Sequence, residues 1–465
     1  MNYFIKCRDK LLAFGRRVIP KPIFNFFQPY YHWVLGFLGA MIYGFPSRKL
    51  KVIGVTGTKG KTTTCNLIAD ILNHCNLKTG MMTTVNFKIG DKEWINQTKQ
   101  TMQGRFKLQK LLRQMVRQGC QYAVVETSSE GILQHRHRFI DYQIAVFTNL
   151  TPEHIERHGS FVNYRLAKLK LFKKVAKRED GIGIYNLDDE NVKHFLAIPI
   201  KKKYGYGMKC QMPNVKCQMP NAKCQMPNVK QITDYKLQIT NYKLRVNGTR
   251  FTANGVDFEM SLLGEFNIYN AAAAICLALS QGIPMQTIRQ ALAKARPIPG
   301  RMEIIEQGQD FTVIVDYAYE QTSLESVLKT VRIFNPQRII VLFGSAGGGR
   351  DKWRRPVMGE IADKYADLIV VTTDDPYDEN PAAIIEDIMK GILKNKQRVL
   401  GRNVFSIVDR RQAIRKALSL AQPNDVVIFA GKGGETWMNV AQDKKIPWNE
   451  KEIVQEELEK LKIKN

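Results

Sequence analysis

Between Gly54 and Thr64 the chain reads GVTGTKGKTTT, a glycine- and threonine-rich turn set between segments of different periodicity. Residues 51–55 form a short apolar run suited to a buried strand, and residues 61–72 carry the three-and-four spacing of a helix. Strand, glycine loop and helix in that order make a phosphate-binding loop. Gly57 and Gly60 let backbone N–H groups approach an anion, and the helix N-terminus beyond them is electropositive. The first glycine of the strict spacing falls where Val55 stands, but Lys61 keeps the place that serves β- and γ-phosphates, and Thr62 offers a hydroxyl suited to magnesium. Thr58, Lys59 and Thr63 complete the stretch expected to touch a nucleotide. Such a loop confines its surroundings to an α/β fold with ligands gathered at the carboxyl ends of parallel strands.

The remaining pattern fits that frame. Strands are expected at 122–126, 144–149 and 183–186, separated by helices at 106–118 and 161–174, which implies a mostly parallel sheet covered on both faces. After the turn at 297–300 a second α/β pattern begins, with strands near 312–316, 338–343, 368–372 and 425–430. A chain of 465 residues is too long for one core. We expect an N-terminal segment (1–48), a nucleotide-binding domain (49–295) and a Rossmann-like C-terminal domain (296–465).

Hydrophobic residues at 44% and charged residues at 24% are ordinary for a globular chain, whereas a net charge of +27 favours anionic partners: nucleotides, nucleotide-sugars, acidic headgroups or nucleic acid. No helicase motif or aromatic RNA-binding platform accompanies the charge, which argues against a nucleic-acid-dependent ATPase. None of the eight cysteines forms a CxxC pair, so zinc ribbons and dithiol redox chemistry are excluded and reduced thiols in a cytoplasmic protein are expected. Basic residues (Lys6, Arg8, Lys10, Arg16, Arg17) precede an apolar stretch at 33–45, but no small-x-small cleavage site follows, and the run is shorter than the roughly 20 residues of a membrane span. Residues 20–46, rich in Phe, Tyr and Trp, are expected either to pack on the core or to rest in a lipid headgroup layer.

Residues 209–244 repeat, first as KCQMPNV, KCQMPNA and KCQMPNV, then as KQITDYKL and QITNYKL. Pro213, Pro220 and Pro227 would break a helix carrying Cys210, Cys217 and Cys224 on one face, so no metal-binding helix is expected. The stretch reads as a surface loop or hairpin of low order, enlarged by duplication.

A phosphate loop is shared by kinases, GTPases, helicases and ligases alike. The succession TGTKGKTTT, ETSSEG (126–131), FTNLTPEHIERHG (147–159), YRLAKLKLF (164–172), GEFNIYNAAAA (264–274), PGRME (299–303), DYA (316–318), FGSAGGGRDKWRRPVMGEIA (343–362), DDPYDENP (374–381), DRRQAI (409–414) and GKGGE (431–435) resembles the Mur ligase family. Within it, the FGSAGGGRDKWRRPVMG and PGRME segments resemble the branch that adds the third amino acid of the peptidoglycan stem.

The resemblance implies an ATP- and Mg2+-dependent ligase that phosphorylates a carboxylate, in the family pattern that of UDP-N-acetylmuramoyl-dipeptide, and lets an amino acid displace the phosphate. It implies magnesium ligation by Glu126, His154 and a carbamylated Lys168, beside Thr62. Alone, Glu126 is a strand-end carboxylate where ligands of open sheets gather, His154 a loop histidine, and Lys168 an ordinary exposed helical lysine. Asn267, Arg301 and Asp316 are carried over as nucleotide contacts, so that ATP bridges two domains. Thr98, Ser128, Ser129, Gln134, Arg136 and Gly431 are expected to contact substrate, with Arg350, Asp374, Asp375, Asp378 and Glu435 around the incoming amino acid. The implied partners are small molecules, with no nucleic acid, and the implied state is a monomer.

Four features depart from the family. DDPY, with Tyr377, stands where DNPR is usual, and the acidic run Asp374, Asp375, Asp378 and Glu379 suits a cationic amino acid such as lysine or ornithine. Tyr319 replaces the histidine of DYAH, and Gly434 that of GKGHE. At the front, basic and aromatic sequence stands where the family carries a UDP-binding domain. A different acceptor, such as a lipid-linked muropeptide or a polyglutamate- or folate-like carboxylate, therefore stays open.

Overall fold

The computed structural model describes residues 21–90, 92–98, 100–152, 158–208 and 234–462. Its first sheet is made of β1 (Lys51–Thr56), β2 (Thr79–Met82), β3 (Asn86–Ile89), β4 (Lys92–Ile95), β5 (Tyr122–Glu126), β6 (Tyr142–Phe147), β7 (Ile182–Asn186), β8 (Lys202–Gly207), β9 (Tyr235–Arg245), β10 (Gly248–Ala253) and β11 (Val256–Met260). They lie in the order β11-β10-β9-β8-β7-β6-β1-β5-β2-β3-β4. The strands from β9 to β2 pair in parallel, and antiparallel pairs finish both edges.

Strand β1 sits mid-sheet between β5 and β6, with Val55 opposite both Glu126 and Val146. Its chain leaves at the carboxyl edge, where neighbouring strands diverge and leave a crevice. Helices Lys61–His74 and Glu265–Ser280 cover one face, and the small Ala271–Ala274 run lets the second lie close on Ile68 and Leu72. Helices Arg105–Arg117 and Phe161–Val175 cover the other face over Val52, Ala123 and Phe147.

The second sheet comprises β12 (Glu303–Ile304), β13 (Thr312–Asp316), β14 (Ile339–Phe343), β15 (Leu368–Thr372), β16 (Val404–Ile407) and β17 (Val426–Ala430), in the order β12-β13-β17-β14-β15-β16. All its pairs are parallel except β12 with β13. Runs such as IIVLF and VVIFA are apolar throughout because both sheet faces are covered. A hairpin of β18 (Trp437–Val440) and β19 (Lys444–Pro447) precedes the last helix.

One expectation needs correction. The second repeat type is not a loop of low order: Tyr235–Arg245 is β9, inside the first sheet, because Leu237 and Ile239 alternate onto the core. Its pairing with β10 slips by one residue between Thr240 and Lys243, at Asn241, whose φ is +49°. The cysteine-bearing units at 209–233 lie outside the described residues. At the front a helix runs Lys21–Ile42, and no described helix is long and apolar enough to cross a membrane.

Candidate active site

A cleft of about 660 Å3 opens between the carboxyl edges of the two sheets. Its floor is the glycine loop. Gly60 begins the helix Lys61–His74 with φ +78°, and a Cβ there would stand 2.1 Å from Asn270 Oδ1. Asn149 grips the loop from the side, accepting from Lys59 N (2.8 Å) and donating to Lys59 O (3.1 Å), while Thr148 Oγ1 donates to Lys59 O (2.7 Å). Lys61 Nζ donates to Gly57 O (3.1 Å) and Thr58 O (2.7 Å), which folds its ammonium over the loop. Thr63 lines the cleft beside it.

Glu126, 2% exposed, ends β5 next to this loop. Its carboxylate accepts from Thr62 Oγ1 (2.9 Å), Thr84 N (2.8 Å) and Thr84 Oγ1 (3.0 Å). Lys168 is not the exposed lysine its helix suggests, being 1% exposed. Its Nζ donates to Gly57 O at 2.6 Å and lies 4.5 Å from the Tyr164 ring centre. The loop hydroxyl, the strand-end carboxylate and a buried amine thus converge on one end of the phosphate loop. His154 lies outside the described residues.

Polar groups that the sequence did not single out complete this wall. Thr84 holds Glu126, Asn270 takes Thr64 Oγ1 (3.3 Å) and donates to Asn267 (2.9 Å), and His158 Nε2 lies 3.1 Å from Ser129 Oγ. Thr84 is an ordinary polar residue outside the quoted segments, whereas Asn270 lies within GEFNIYNAAAA beside the Asn267 that was singled out. His158 lies within the quoted FTNLTPEHIERHG segment, which was its signal.

From the second sheet come Arg301, Asp316, Tyr317, Tyr319 and Arg350. Burial raises the Asp316 carboxyl to about 6, against the pull of Arg301 and of the Met302 N–H, which it accepts at 2.7 Å. Arg301 stacks on Tyr317, 4.4 Å from the ring centre. Across the cleft Lys59 Nζ meets Glu320 Oε1 at 2.8 Å and lies over the Tyr319 ring. Glu320 also caps the helix Gln321–Thr330, accepting from Ser323 N (2.8 Å) and Thr322 N (3.2 Å).

Ser128, Ser129, Gln134 and Arg136 line the far end of the cleft, where Arg136 bonds Met102 O, Gln134 and Gln100. Thr98 is not on that wall. It is held by Asn96 and Gln103, and Gln100, Thr101 and Met102 face the cleft instead.

The acidic run divides. Tyr377, at φ +52°, turns the chain so that Asp378 accepts from the Gln442 N–H (2.8 Å) and Glu379 pairs with Arg355 (2.9 Å). Asp374, Asp375 and Glu435 remain together around the buried Lys432, whose Nζ lies 2.7 Å from Asp375 and 2.6 Å from Glu435. Of the expected run of four, two thus stay together, and with Glu435 they surround an ammonium. Tyr317 OH links Glu435 (3.1 Å) to the main cleft, and Gly431 N donates to Asp316 O (3.0 Å). Arg350 stands among Tyr319, Tyr317, Tyr377 and Glu130.

Residues 55–278 match the Mur ligase middle domain, and residues 300–433 the Mur ligase glutamate ligase domain. The UDP-N-acetylmuramoyl-L-alanyl-D-glutamate–2,6-diaminopimelate ligase of Geobacillus kaustophilus is 36% identical over 418 residues, covering 88% of this chain and 79% of the relative. The chain belongs to the Mur ligase family. The UDP-N-acetylmuramyl-tripeptide synthetase of a Roseiflexus species is likewise 36% identical, over 89% of this Mur ligase and 79% of its own length. A solved UDP-N-acetylmuramoyl-L-alanyl-D-glutamate–2,6-diaminopimelate ligase superposes with a TM-score of 0.58 at 28% identity, covering 89% of this chain and 79% of that one. The folylpolyglutamate synthase of Mycobacterium tuberculosis, at 15% identity and a TM-score of 0.63, shares the fold over 86% of this chain and 92% of its own. As a Mur ligase the chain is an ADP-forming enzyme of peptidoglycan precursor synthesis that makes an amide bond using ATP and Mg2+.

Proposed function

We propose that this Mur ligase adds the third amino acid to UDP-N-acetylmuramoyl-dipeptide, as the names of its relatives at 36% identity suggest. The observation that carries the site assignment is the meeting of Lys61, Thr62, Glu126 and Lys168 at one end of the phosphate loop. Thr62 and Glu126 are the oxygen donors suited to hold magnesium, and His154 joins them by family pattern. Carbamylation of the buried Lys168 amine would turn it into a carboxylate for the same ion. Magnesium supplies charge neutralisation between ATP and acceptor.

Lys61 and the loop N–H groups hold the β- and γ-phosphates, and Arg301 adds positive charge from the second sheet. Asn267 and Asp316 contact base and ribose. The acceptor carboxylate, placed near Ser128, Ser129 and Arg136, attacks the γ-phosphorus, releasing ADP and forming an acyl phosphate. The amine of the amino acid then attacks the acyl carbon, phosphate leaves, and the amine proton passes to solvent or a nearby base. Closure of the second sheet on the first orients that attack.

Asp374, Asp375 and Glu435 set three carboxylates around one Lys432 ammonium. An anionic recess of this kind favours an amino acid with a cationic side chain, lysine or ornithine, over one with a distal carboxylate. We read the enzyme as a cytoplasmic monomer with a peripheral membrane contact through residues 20–46. The test is phosphate release with ATP, magnesium, bicarbonate and UDP-N-acetylmuramoyl-dipeptide, comparing lysine, ornithine and diaminopimelate, with product masses read out. A tripeptide mass identifies the amino acid, and ATP binding without turnover refutes this acceptor.

A further inference from the structure

The helix Lys21–Ile42 carries no charged side chain after Lys21, and none follows until Arg48. One face is packed. At Gly36 a Cβ would stand 3.1 Å from the Phe139 ring, Gly39 lies against the Arg105–Phe106 backbone, and Ala40 is fully buried. Trp33 and Phe37 pack edge-on against Phe139, at 5.6 and 5.7 Å between ring centres. The opposite face is open. Tyr30, Val34 and Met41, four and seven residues apart, are exposed there, Trp33 stands at the border of the two faces, and Tyr31 and Ile42 flank them, Ile42 at 64%.

The neighbourhood of this apolar stripe is strongly cationic. The helix Arg105–Arg117 beside it reads RFKLQKLLRQMVR, and no Asp or Glu occurs between Glu93 and Glu126. Lys107, Lys110 and Arg117 are exposed, as are Arg48 and Lys49 just past the stripe's end. The same corner is continuous with the cleft, because Arg105 Nη2 donates to Gln134 O at 2.6 Å and Gln134 lines the acceptor end.

We propose that this face is seated on an anionic lipid bilayer, the stripe in the headgroup layer and the Lys and Arg side chains on lipid phosphates. The inference deepens the peripheral placement read above by naming the partner and the residues. Apolar helices with Tyr and Trp in an interface plane, next to basic side chains, match the two attractions such a surface supplies. A second copy of the chain is the poorer occupant, because a face-to-face pairing of this corner brings two acid-free cationic helices together. Seated so, the acceptor end of the cleft opens close to the headgroups.

The test is co-sedimentation of the full chain with vesicles of phosphatidylcholine alone and with about one third phosphatidylglycerol, at about 0.1 M salt. We expect binding to the anionic vesicles, weakened about fivefold by each of Lys107→Gln and Lys110→Gln and lost in the double variant Val34→Glu/Met41→Glu. These positions are outside the catalytic cleft, so thermal midpoint and turnover with dissolved substrates are read alongside and stay unchanged; turnover reports on the ligase reading separately. Absence of vesicle binding overturns the proposal, as does binding indifferent to both sets of substitutions. Concentration-dependent dimers dispersed by Val34→Glu/Met41→Glu overturn it in favour of a second copy.

Discussion

Glutamine in place of Glu320 removes one charge from the ion pair that ties the phosphate loop to the second sheet, and leaves an amide oxygen to cap the helix Gln321–Thr330. The Glu320 side chain is 7% exposed and that of Lys59 27%. An ion pair in open water contributes ~0.2–1 kcal/mol, and breaking a fully buried one costs ~3–5 kcal/mol. The half-shielded setting puts the coupling between, at about 1–2 kcal/mol, a factor of ~5–30. Because the pair bridges the phosphate loop and the second sheet, its loss weakens their joined arrangement, and KM for ATP is expected to rise by that factor while kcat moves less. Lys59 also belongs to the phosphate loop, so its substitution alone mixes two effects. Phosphate release from the wild type, Glu320→Gln, Lys59→Gln and the double variant separates them as a double-mutant cycle. Coupling of about 1–2 kcal/mol, weaker at ~1 M than at ~0.1 M salt, is expected. Additive effects within ~0.3 kcal/mol would refute the clamp.

Lys168→Ala should lower turnover by at least ~100-fold, with partial recovery by short-chain carboxylates in the phosphate-release assay, whereas recovery by added amines would point away from a carbamate. Burial holds Asp316 near 6, so its carboxylate forms as pH rises through that value. KM for ATP should fall over the same range, and a profile unchanged in Asp316→Asn counts against a ribose contact. The stability sign is opposite. With a folded value above the unfolded one of about 3.9, Asp316 adds stability that is complete below about 3.9 and lost by about 6, roughly 3 kcal/mol in thermal melts of the nucleotide-free chain against Asp316→Asn. Arg410→Ala strands Glu450, which is fully buried and paired with Arg410, and should cost ~3–5 kcal/mol, a fall of roughly 10 °C in Tm; a shift of a degree or two would show that water reaches the pair.

The phosphate loop and the strands around it were legible because they are local: IIVLF and VVIFA announce covered strands, and the order of strand, glycine turn and helix admits one geometry. Glu126 was legible for the same reason, as the last residue of an apolar run beside the loop strand. What sequence could not reveal depends on contacts between distant segments. Glu320 reads as a helix cap, and only the approach of the sheets makes it a partner for Lys59. Asp378 and Glu379 look continuous with Asp374 and Asp375 until the left-handed Tyr377 turns them to Gln442 and Arg355. Lys168 carries no local sign of burial, which follows from where its helix crosses the Gly57 carbonyl.

The slip at Asn241 bears on how the chain came by its duplicated segment. The units QITDYKL and QITNYKL are seven residues long, and an odd period in an extended strand sends equivalent side chains to opposite faces. A plain doubling would have turned the second leucine to solvent. With one residue taken out of the count at Asn241, Leu237 and Leu244 both lie on the same core. Parity, then, governs which copy numbers this edge of the sheet can absorb: another heptad is tolerated where its Asn or Asp again supplies the compensating kink, and deletion of Asn241 alone, which leaves an even spacing between Leu237 and Leu244, would straighten the strand and keep both leucines on the core.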